Sequence, residues 1–219
     1  MDKITRFGMV QGRLTQSPPG CLQWFPQETW QDEFHIASDL GINYIELIAE
    51  TQHNQNNPIW TNDGIDRIKQ LVNNNNLTLH ALCNDYIVEH TLLDEDVIQQ
   101  NIDLIEQGKK LGVEKYIIPL FESSELTVDN MSNYINPLRR IAISARDNNI
   151  TVCLETILTG EELIELLKLI DIPYVKAVYD TGNRVAFGHN LSKDIRLLGN
   201  YIGHVHIKDK NSGNENVLL

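Results

Sequence analysis

Short apolar segments of strand-like composition alternate with amphipathic segments of helical period along the whole chain. Strands are predicted near residues 4–10, 44–48, 77–83, 116–121, 151–155, 175–179 and 202–207. Helices are predicted near residues 30–40, 63–72, 96–111, 131–147, 161–170 and 192–198. Short strands that alternate with helices are typical of a parallel sheet built from βαβ units.

The strand count and spacing favour one barrel fold. Seven strands at a spacing of roughly thirty residues suit a (β/α)8 barrel better than a doubly wound sheet. The sequence contains neither a glycine-rich dinucleotide fingerprint after the first strand nor a phosphate-binding loop motif. The predicted fold class is therefore α/β, a single domain of the (β/α)8 TIM-barrel type over residues 1–219. Because only about seven parallel strands can be placed, we expect the barrel to be C-terminally truncated, with strands one and seven as open edges.

Charge, hydropathy and cysteine content narrow the functional classes. The formal net charge of −12 argues against a nucleic-acid partner, whose phosphates require clustered lysine and arginine. No apolar run reaches the length of a membrane span, and the N-terminus lacks a signal-peptide core, so we expect no membrane partner and a cytoplasmic location. Cys21, Cys83 and Cys153 share no CxxC spacing, which indicates reduced thiols.

Three successive predicted strands end in side chains that commonly bind metal ions, Glu155, Asp180 and His206. Alternate residues of a strand share a face, so each is the last member of an inward series if the strands are parallel neighbours. Two carboxylates and an imidazole at strand ends predict a divalent-metal site. The alternative stays open that such a glutamate caps a helix or pairs with a cation, and that such a histidine is a hydrogen-bonded core residue.

Polar residues also follow the first four predicted strands. They are Gln11, Arg13, Glu46, Asn84 and Glu122, which are predicted to bind substrate, together with Glu50 and Asp85. A ring of acids, amides and one arginine suits a ligand rich in hydroxyl groups, because each hydroxyl both donates and accepts hydrogen bonds. Barrel loops are polar in any case, so this pattern alone supports sugar binding only modestly.

Five segments in chain order carry a family resemblance. They are residues 8–14 (GMVQGRL), 45–48 (IELI), 154–156 (LET), 179–183 (YDTGN) and 204–209 (HVHIKD). Together they resemble the xylose isomerase-like TIM-barrel superfamily of sugar-phosphate isomerases and 3-epimerases, which also contains endonuclease IV. The resemblance spans essentially the whole chain, and its last two segments are the most specific.

The resemblance implies a divalent ion, Mn2+, Mg2+, Co2+ or Zn2+, held in the family by Glu, Asp, His and Glu from strands five to eight. The first three ligands fall on Glu155, Asp180 and His206, and the strand-eight glutamate has no counterpart. In the epimerases the strand-five glutamate is also an acid/base group, so Glu155 is the predicted catalytic residue. Asn183 stands where endonuclease IV has a histidine, which together with the net charge disfavours the DNA-repair branch.

The implied function is a metal-dependent isomerase or epimerase that moves a proton next to the carbonyl of a sugar or sugar phosphate. Asn183 and Lys208 join the predicted substrate-binding residues, and Lys208 and Arg13 are candidates for an anionic or hydroxyl group of the substrate. Two alternatives stay open: an impaired fragment or sugar-binding relative that lacks the strand-eight glutamate, and a dehydratase on the same metal site. We expect a homo-oligomer or a partner to cover the open sheet edges.

Overall fold

A computed structural model describes residues 6–19, 23–210 and 216–217. Seven parallel strands form one sheet in chain order. They are β1 (Gly8–Val10), β2 (Tyr44–Ala49), β3 (Thr78–Asn84), β4 (Lys115–Pro119), β5 (Thr151–Glu155), β6 (Val175–Asp180) and β7 (Ile202–His206). All seven predicted strands are confirmed, although residues 4 and 5 of the first, like Cys21, lie outside the described residues.

Within the same residues the structure has eight α-helices. They are α1 (Asp32–Asp39), α2 (Asn62–Asn74), α3 (Tyr86–Glu89), α4 (Glu95–Leu111), α5 (Met131–Asp147), α6 (Gly160–Ile170), α7 (Thr181–Ala186) and α8 (Leu191–Leu198). Six of them match predicted helices, whereas the short helices α3 and α7 were not predicted. Single 3-10 turns lie at Pro58–Trp60, Glu122–Ser124 and Gly199–Tyr201, and β8 (Asp209–Lys210) pairs antiparallel with β9 (Asn216–Val217).

Capping residues set the bounds of the longer helices. Thr159 and Glu162 form a capping box at the start of α6, each side chain bonding the other's backbone N–H. Helix α4 ends at Gly112, whose φ of 84° is left-handed and therefore suits a residue without a Cβ. These signals are local in the sequence, which is why the predicted helix bounds agree with the observed ones to within about two residues.

The sheet is curled, with one apolar layer on each face. The larger layer fills the space between the sheet and the helices. The smaller layer lies inside the curl and consists of Ile48, Ala81, Cys83, Ile117, Cys153 and Val178. His204 on β7 reaches Glu46 on β2 at 2.9 Å and stacks on His80 of β3 with ring centroids 5.8 Å apart. Because side chains from the last strands contact those of β2 and β3, the sheet is an incompletely closed barrel.

The predicted α/β fold of TIM-barrel type is thus confirmed. β1 and β7 are the outer strands of the sheet, and no eighth strand joins it in the ranges that the structure describes. No helix among these residues combines the length and apolarity needed to cross a membrane.

Candidate metal and active site

Three side chains converge where β5, β6 and β7 end. Glu155, Asp180 and His206 each offer a ligand atom, and these atoms all lie within 4.8 Å of one another. His206 Nδ1 is 3.7 Å from both Glu155 Oε2 and Asp180 Oδ2. Asp180 and His206 are direct partners in the parallel pairing of β6 with β7. The structure therefore brings together the three residues that the sequence singled out, while their role as metal ligands stays a prediction.

Asp180 uses its two oxygens differently. Oδ1 accepts the backbone N–H of Asn183 at 2.7 Å and caps α7, which explains why a helix begins directly after the strand. Oδ2 is buried and makes no hydrogen bond of acceptable geometry, although Lys208 Nζ lies 2.7 Å away. Burial alone would raise the pKa of Asp180, but the interaction with His206 and the charge of Lys208 lower it to about 2. The carboxylate is therefore ionised at neutral pH.

His206 lies between two groups of carboxylates. Its Nε2 atom faces Glu46 at 3.2 Å, and its Nδ1 atom faces Glu155 and Asp180. Burial alone would lower the pKa of His206, but the carboxylates around it raise that pKa well above its usual value. The surroundings thus favour positive charge at this point.

Glu155 is held by the neighbouring helix. Asn183 Nδ2 donates a hydrogen bond of 2.6 Å to Glu155 Oε1, while Oε2 faces His206. In the structure the amide of Asn183 fixes the predicted base, and its contact with substrate stays a prediction. The side chain of Glu155 is 10% exposed, so the carboxylate is largely shielded from water.

A divalent cation fits these donors. Separations of 3.7 Å are too long for hydrogen bonds, but two ligands that each lie about 2.0–2.6 Å from one ion are about 3–4 Å from each other. Asp180 Oδ2 is a buried oxygen without a properly directed donor, and two carboxylates with one imidazole match divalent metals of the Mn2+ to Zn2+ series. The charge, the donor types and the spacing of these three side chains therefore all suit a divalent cation.

The position predicted for Glu46 needs correction. It was placed at a strand end in the ring of polar residues, but it lies inside β2 (Tyr44–Ala49) and is 3% exposed. Burial alone would raise the pKa of Glu46, but His206 and His204 hold it below the usual range. Glu46 points into the barrel because it alternates with outward-facing Ile45 and Leu47, so it belongs to the interior and not to the rim.

Asn84 ends β3, as the sequence predicted, but its side chain does not face the barrel interior. Its side chain is fully buried and donates to Gln100 and Asn101 on α4, on the helix-facing side of the sheet. A register shift between β2 and β3 changes which residues of β3 point inward. Asp85 takes the inward place instead, on the same face as Cys83, whose Sγ atom lies 3.3 Å from it.

Asp85 belongs to the predicted ring of polar residues, although it was not among the predicted substrate-binding residues. Gln23 Nε2 donates to its Oδ2 at 2.6 Å. Burial raises the pKa of Asp85 to about 7, despite the Cys83 hydrogen bond, and the charges of Glu46 and Glu155 add to the shift. The signal in the sequence was its position directly after a strand.

The loop after β1 presents Arg13 beside Asp85. The buried carboxylate of Glu33 accepts backbone N–H groups of Gly12 and Leu14 at 2.9–3.0 Å, which fixes the loop. Gly12 has φ +84°, and a Cβ there would clash with the Trp24 carbonyl oxygen, so this turn requires glycine. Burial lowers the pKa of Arg13, whereas the negative charge of Asp85 raises it. The two charges therefore interact.

The remaining predicted residues have different surroundings. Gln11 is buried, and its Oε1 accepts the backbone N–H of Ile48 at 3.3 Å, so it supports the sheet. Glu122 is exposed at the start of the 3-10 turn after β4, with φ 49°. Lys208 lies at the candidate site through its contact with Asp180.

Comparison with known proteins identifies relatives by family and by fold. The profile of the family described as xylose isomerase-like TIM barrel matches residues 34–217. No curated protein matches the chain significantly.

Several solved structures share the fold. D-psicose 3-epimerase from Clostridium cellulolyticum H10, solved with D-tagatose, is 17% identical, with a TM-score of 0.72 over 92% of this chain and 72% of that one. The 3-keto-D-glucoside 4-epimerase of E. coli is 15% identical, with a TM-score of 0.71 over 94% and 80%. A probable 3-DHS dehydratase from Bacillus anthracis is 18% identical, with a TM-score of 0.71 over 96% and 75%. At such identities the likeness shows the fold alone.

Proposed function

Because the chain belongs to the xylose isomerase-like TIM-barrel family, we propose that it is a metal-dependent isomerase or epimerase of a sugar or sugar phosphate. The observation that carries the proposal is the convergence of Glu155, Asp180 and His206 within 4.8 Å at the carboxyl ends of adjacent parallel strands. This end of a barrel is where such folds place their chemistry. Two structural neighbours carry the names of sugar epimerases, which is the same reaction class.

Glu155, Asp180 and His206 would hold the divalent ion, for which Mn2+, Mg2+, Co2+ and Zn2+ are the candidates. When bound, the ion supplies Lewis-acid polarisation of a substrate carbonyl, which makes the hydrogen on the adjacent carbon more acidic. The two carboxylates would supply negative charge to the ion, and the imidazole would contribute a neutral nitrogen donor.

Glu155 would act as the base. Asn183 donates to its Oε1 and its Oε2 faces the predicted metal position, so the carboxylate keeps one orientation beside the substrate. The base removes the proton from the hydroxyl-bearing carbon beside the carbonyl and returns it to the carbonyl carbon on the same face, while the hydroxyl proton passes to the former carbonyl oxygen, which interconverts aldose and ketose. Epimerisation requires a second acid/base group on the opposite face of that carbon.

Two cations at the rim would orient the substrate. Arg13 belongs to the loop that Glu33 fixes and interacts with the charge of Asp85, and Lys208 lies beside Asp180. An ammonium and a guanidinium both donate to phosphate oxygens and to hydroxyl groups. The pair is therefore compatible with a sugar or with its phosphate ester.

A dehydratase is the second candidate, since one structural neighbour is a probable 3-DHS dehydratase. It would use the same base, but the substrate would lose a hydroxyl group as water. An isomer keeps the mass of its substrate, so the two functions differ in a property that can be measured directly.

The experiment is a panel of ketoses and ketose phosphates incubated with the Mn2+-loaded protein in D2O and followed by NMR and mass spectrometry. We expect deuterium at the carbon beside the carbonyl and a product isomer, and both should vanish in Glu155→Gln. Glu165→Gln, at an exposed glutamate of α6, is the matched control and should remain active. Loss of water from the substrate would support the dehydratase, and a metal-loaded protein inert towards the whole panel would contradict the proposal.

A further inference from the structure

A buried carboxylate in the barrel interior lies between the two histidines of β7. Glu46 Oε2 is 2.9 Å from His204 Nε2, and Glu46 Oε1 is 3.2 Å from His206 Nε2. The side chains of Glu46 and His204 are both 4% exposed. A charge removed from water to this extent is tolerated only when hydrogen-bond donors surround it. The two imidazoles are the donors that the structure provides.

The hydrogen bonds determine which nitrogen of His206 carries a proton. An ionised carboxylate only accepts hydrogen bonds, so the Nε2 atom that faces Glu46 must be protonated. In a neutral imidazole the other nitrogen then has a free lone pair. For His206 this is Nδ1, which faces Glu155 and Asp180 at 3.7 Å. A lone pair directed at two carboxylates is unfavourable unless Nδ1 takes up a proton or a metal cation lies between them.

We propose that Glu46 is a positioning residue that holds His206 in the Nε2-protonated tautomer and thereby makes Nδ1 the metal-binding atom. The inference rests on the metal site of the proposed function. A carboxylate that accepts the second N–H of a metal-bound imidazole fixes the ring and increases its basicity, and loss of such a partner typically costs about 10–100-fold in metal affinity. His204 binds the other oxygen of Glu46 and stacks on His80, which restrains the carboxylate.

The same atoms permit one competing interpretation. Glu46, His204 and His206 also offer ligand atoms within 4.8 Å of one another and could in principle hold a second ion. Their separations of 2.9 and 3.2 Å are, however, ordinary hydrogen-bond lengths, unlike the 3.7 Å spacing around His206 Nδ1. The geometry therefore favours direct hydrogen bonds at Glu46. The number of ions bound per chain distinguishes this positioning role from a second metal site.

The first measurement is a calorimetric titration of Mn2+ into the wild-type chain, Glu46→Gln and Glu46→Asp. We expect one Mn2+ per wild-type chain, binding about 10–100-fold weaker in Glu46→Gln, and intermediate affinity in Glu46→Asp, which keeps the charge. Glu114→Gln is the matched control, because Glu114 also pairs with a barrel histidine, His80 at 3.3 Å, but is 72% exposed. Its Mn2+ affinity should equal that of the wild type.

The second measurement separates positioning from general stability. Nitrogen-15 NMR of the Zn2+-loaded protein should show His206 protonated at Nε2 and metal-bound at Nδ1, and Glu46→Gln should shift this tautomer pattern while Glu114→Gln should not. Wild-type affinity and tautomer in both Glu46 variants would overturn the inference and leave the metal site intact. Two ions per wild-type chain would also overturn it. A wild-type chain that binds no Mn2+ would instead remove the metal site on which it rests.

Discussion

The ammonium group of Lys208 lies 2.7 Å from Asp180 Oδ2, the same oxygen that His206 Nδ1 faces at 3.7 Å. Thr181 fixes the backbone of Lys208, since its Oγ1 donates to the Lys208 carbonyl at 2.7 Å and accepts the Lys208 N–H at 3.0 Å. A Cβ at Gly182 would lie 2.7 Å from Lys208 Cγ, so the close approach depends on that glycine. The fold thus keeps a cation of its own at a predicted metal ligand.

Lys208→Met should strengthen metal binding. The ammonium competes with the metal ion for Asp180, and a partly exposed ion pair of this kind is worth about 1 kcal/mol, or roughly fivefold in affinity. Calorimetric titration with Mn2+ measures the change. Lys193→Met, which removes a surface lysine paired with Glu161, should leave the affinity unchanged. Weaker binding in Lys208→Met would show that Lys208 supports the site and does not compete with the ion.

Asn183→Ala should lower kcat without raising KM. The variant loses the 2.6 Å hydrogen bond to Glu155, so the base is less well oriented. The backbone N–H of residue 183 still donates to Asp180 Oδ1, so the start of α7 is preserved. A tenfold decrease in kcat is expected if the bond contributes about 1.4 kcal/mol to the transition state. The substrate found in the NMR panel provides the assay. A raised KM at unchanged kcat would instead support direct contact between Asn183 and substrate, as the sequence predicted.

Asp85→Asn should change how stability depends on pH. The pKa of Asp85 is about 7 in the folded chain because burial opposes its ionisation, against an ordinary value near 3.9 when unfolded. The folded state therefore binds the proton more tightly, and the wild type loses stability as pH rises from about 4 through 7. An asparagine at position 85 does not titrate, so the variant should not lose this stability as pH rises. The free energy of unfolding of the variant, taken relative to that of the wild type, should therefore increase by a few kcal/mol between about pH 5 and pH 8. Urea unfolding at both pH values tests this, and a pH-independent difference would contradict it.

The outer strands of the sheet should promote self-association. β1 and β7 are the edges of the seven-stranded sheet, and an unpaired edge is a template for another chain. On and beside them, Phe7 is 59%, Val205 47% and Ile207 59% exposed. Sedimentation velocity over a concentration series should show oligomers of the chain. Val205→Lys, which places a charge on this surface, should reduce them. A monomer at all concentrations would contradict the prediction.

The sequence predicted the elements that depend on local periodicity. All seven strands of the sheet and six of the eight helices in the described ranges follow from apolar spacing and capping residues. The convergence of Glu155, Asp180 and His206 followed from strand alternation, because parallel neighbours end at the same edge. Helix α7 was missed, although the capping side chain of Asp180 was a local signal for it.

Sequence patterns did not predict the side-chain contacts across the barrel. The pairing of Glu46 with His204 and His206 depends on how far the sheet curls, since β2 and β7 are separated by 4 intervening strands along the sheet. The error at Asn84 has a different origin. One irregular step in the register of β2 with β3 reverses which residues face inward, and no periodic pattern records such a step.

The most direct test of the account is the metal content of the chain after loading with Mn2+ and removal of unbound ion. Wild-type protein should retain one Mn2+ per chain, whereas Asp180→Asn and His206→Ala should retain little. Asp180→Asn keeps an oxygen that can cap α7, so its fold should be preserved and its melting temperature serves as the control. Full Mn2+ content in both variants, or none in the wild type, would contradict the assignment of Glu155, Asp180 and His206 as the metal site.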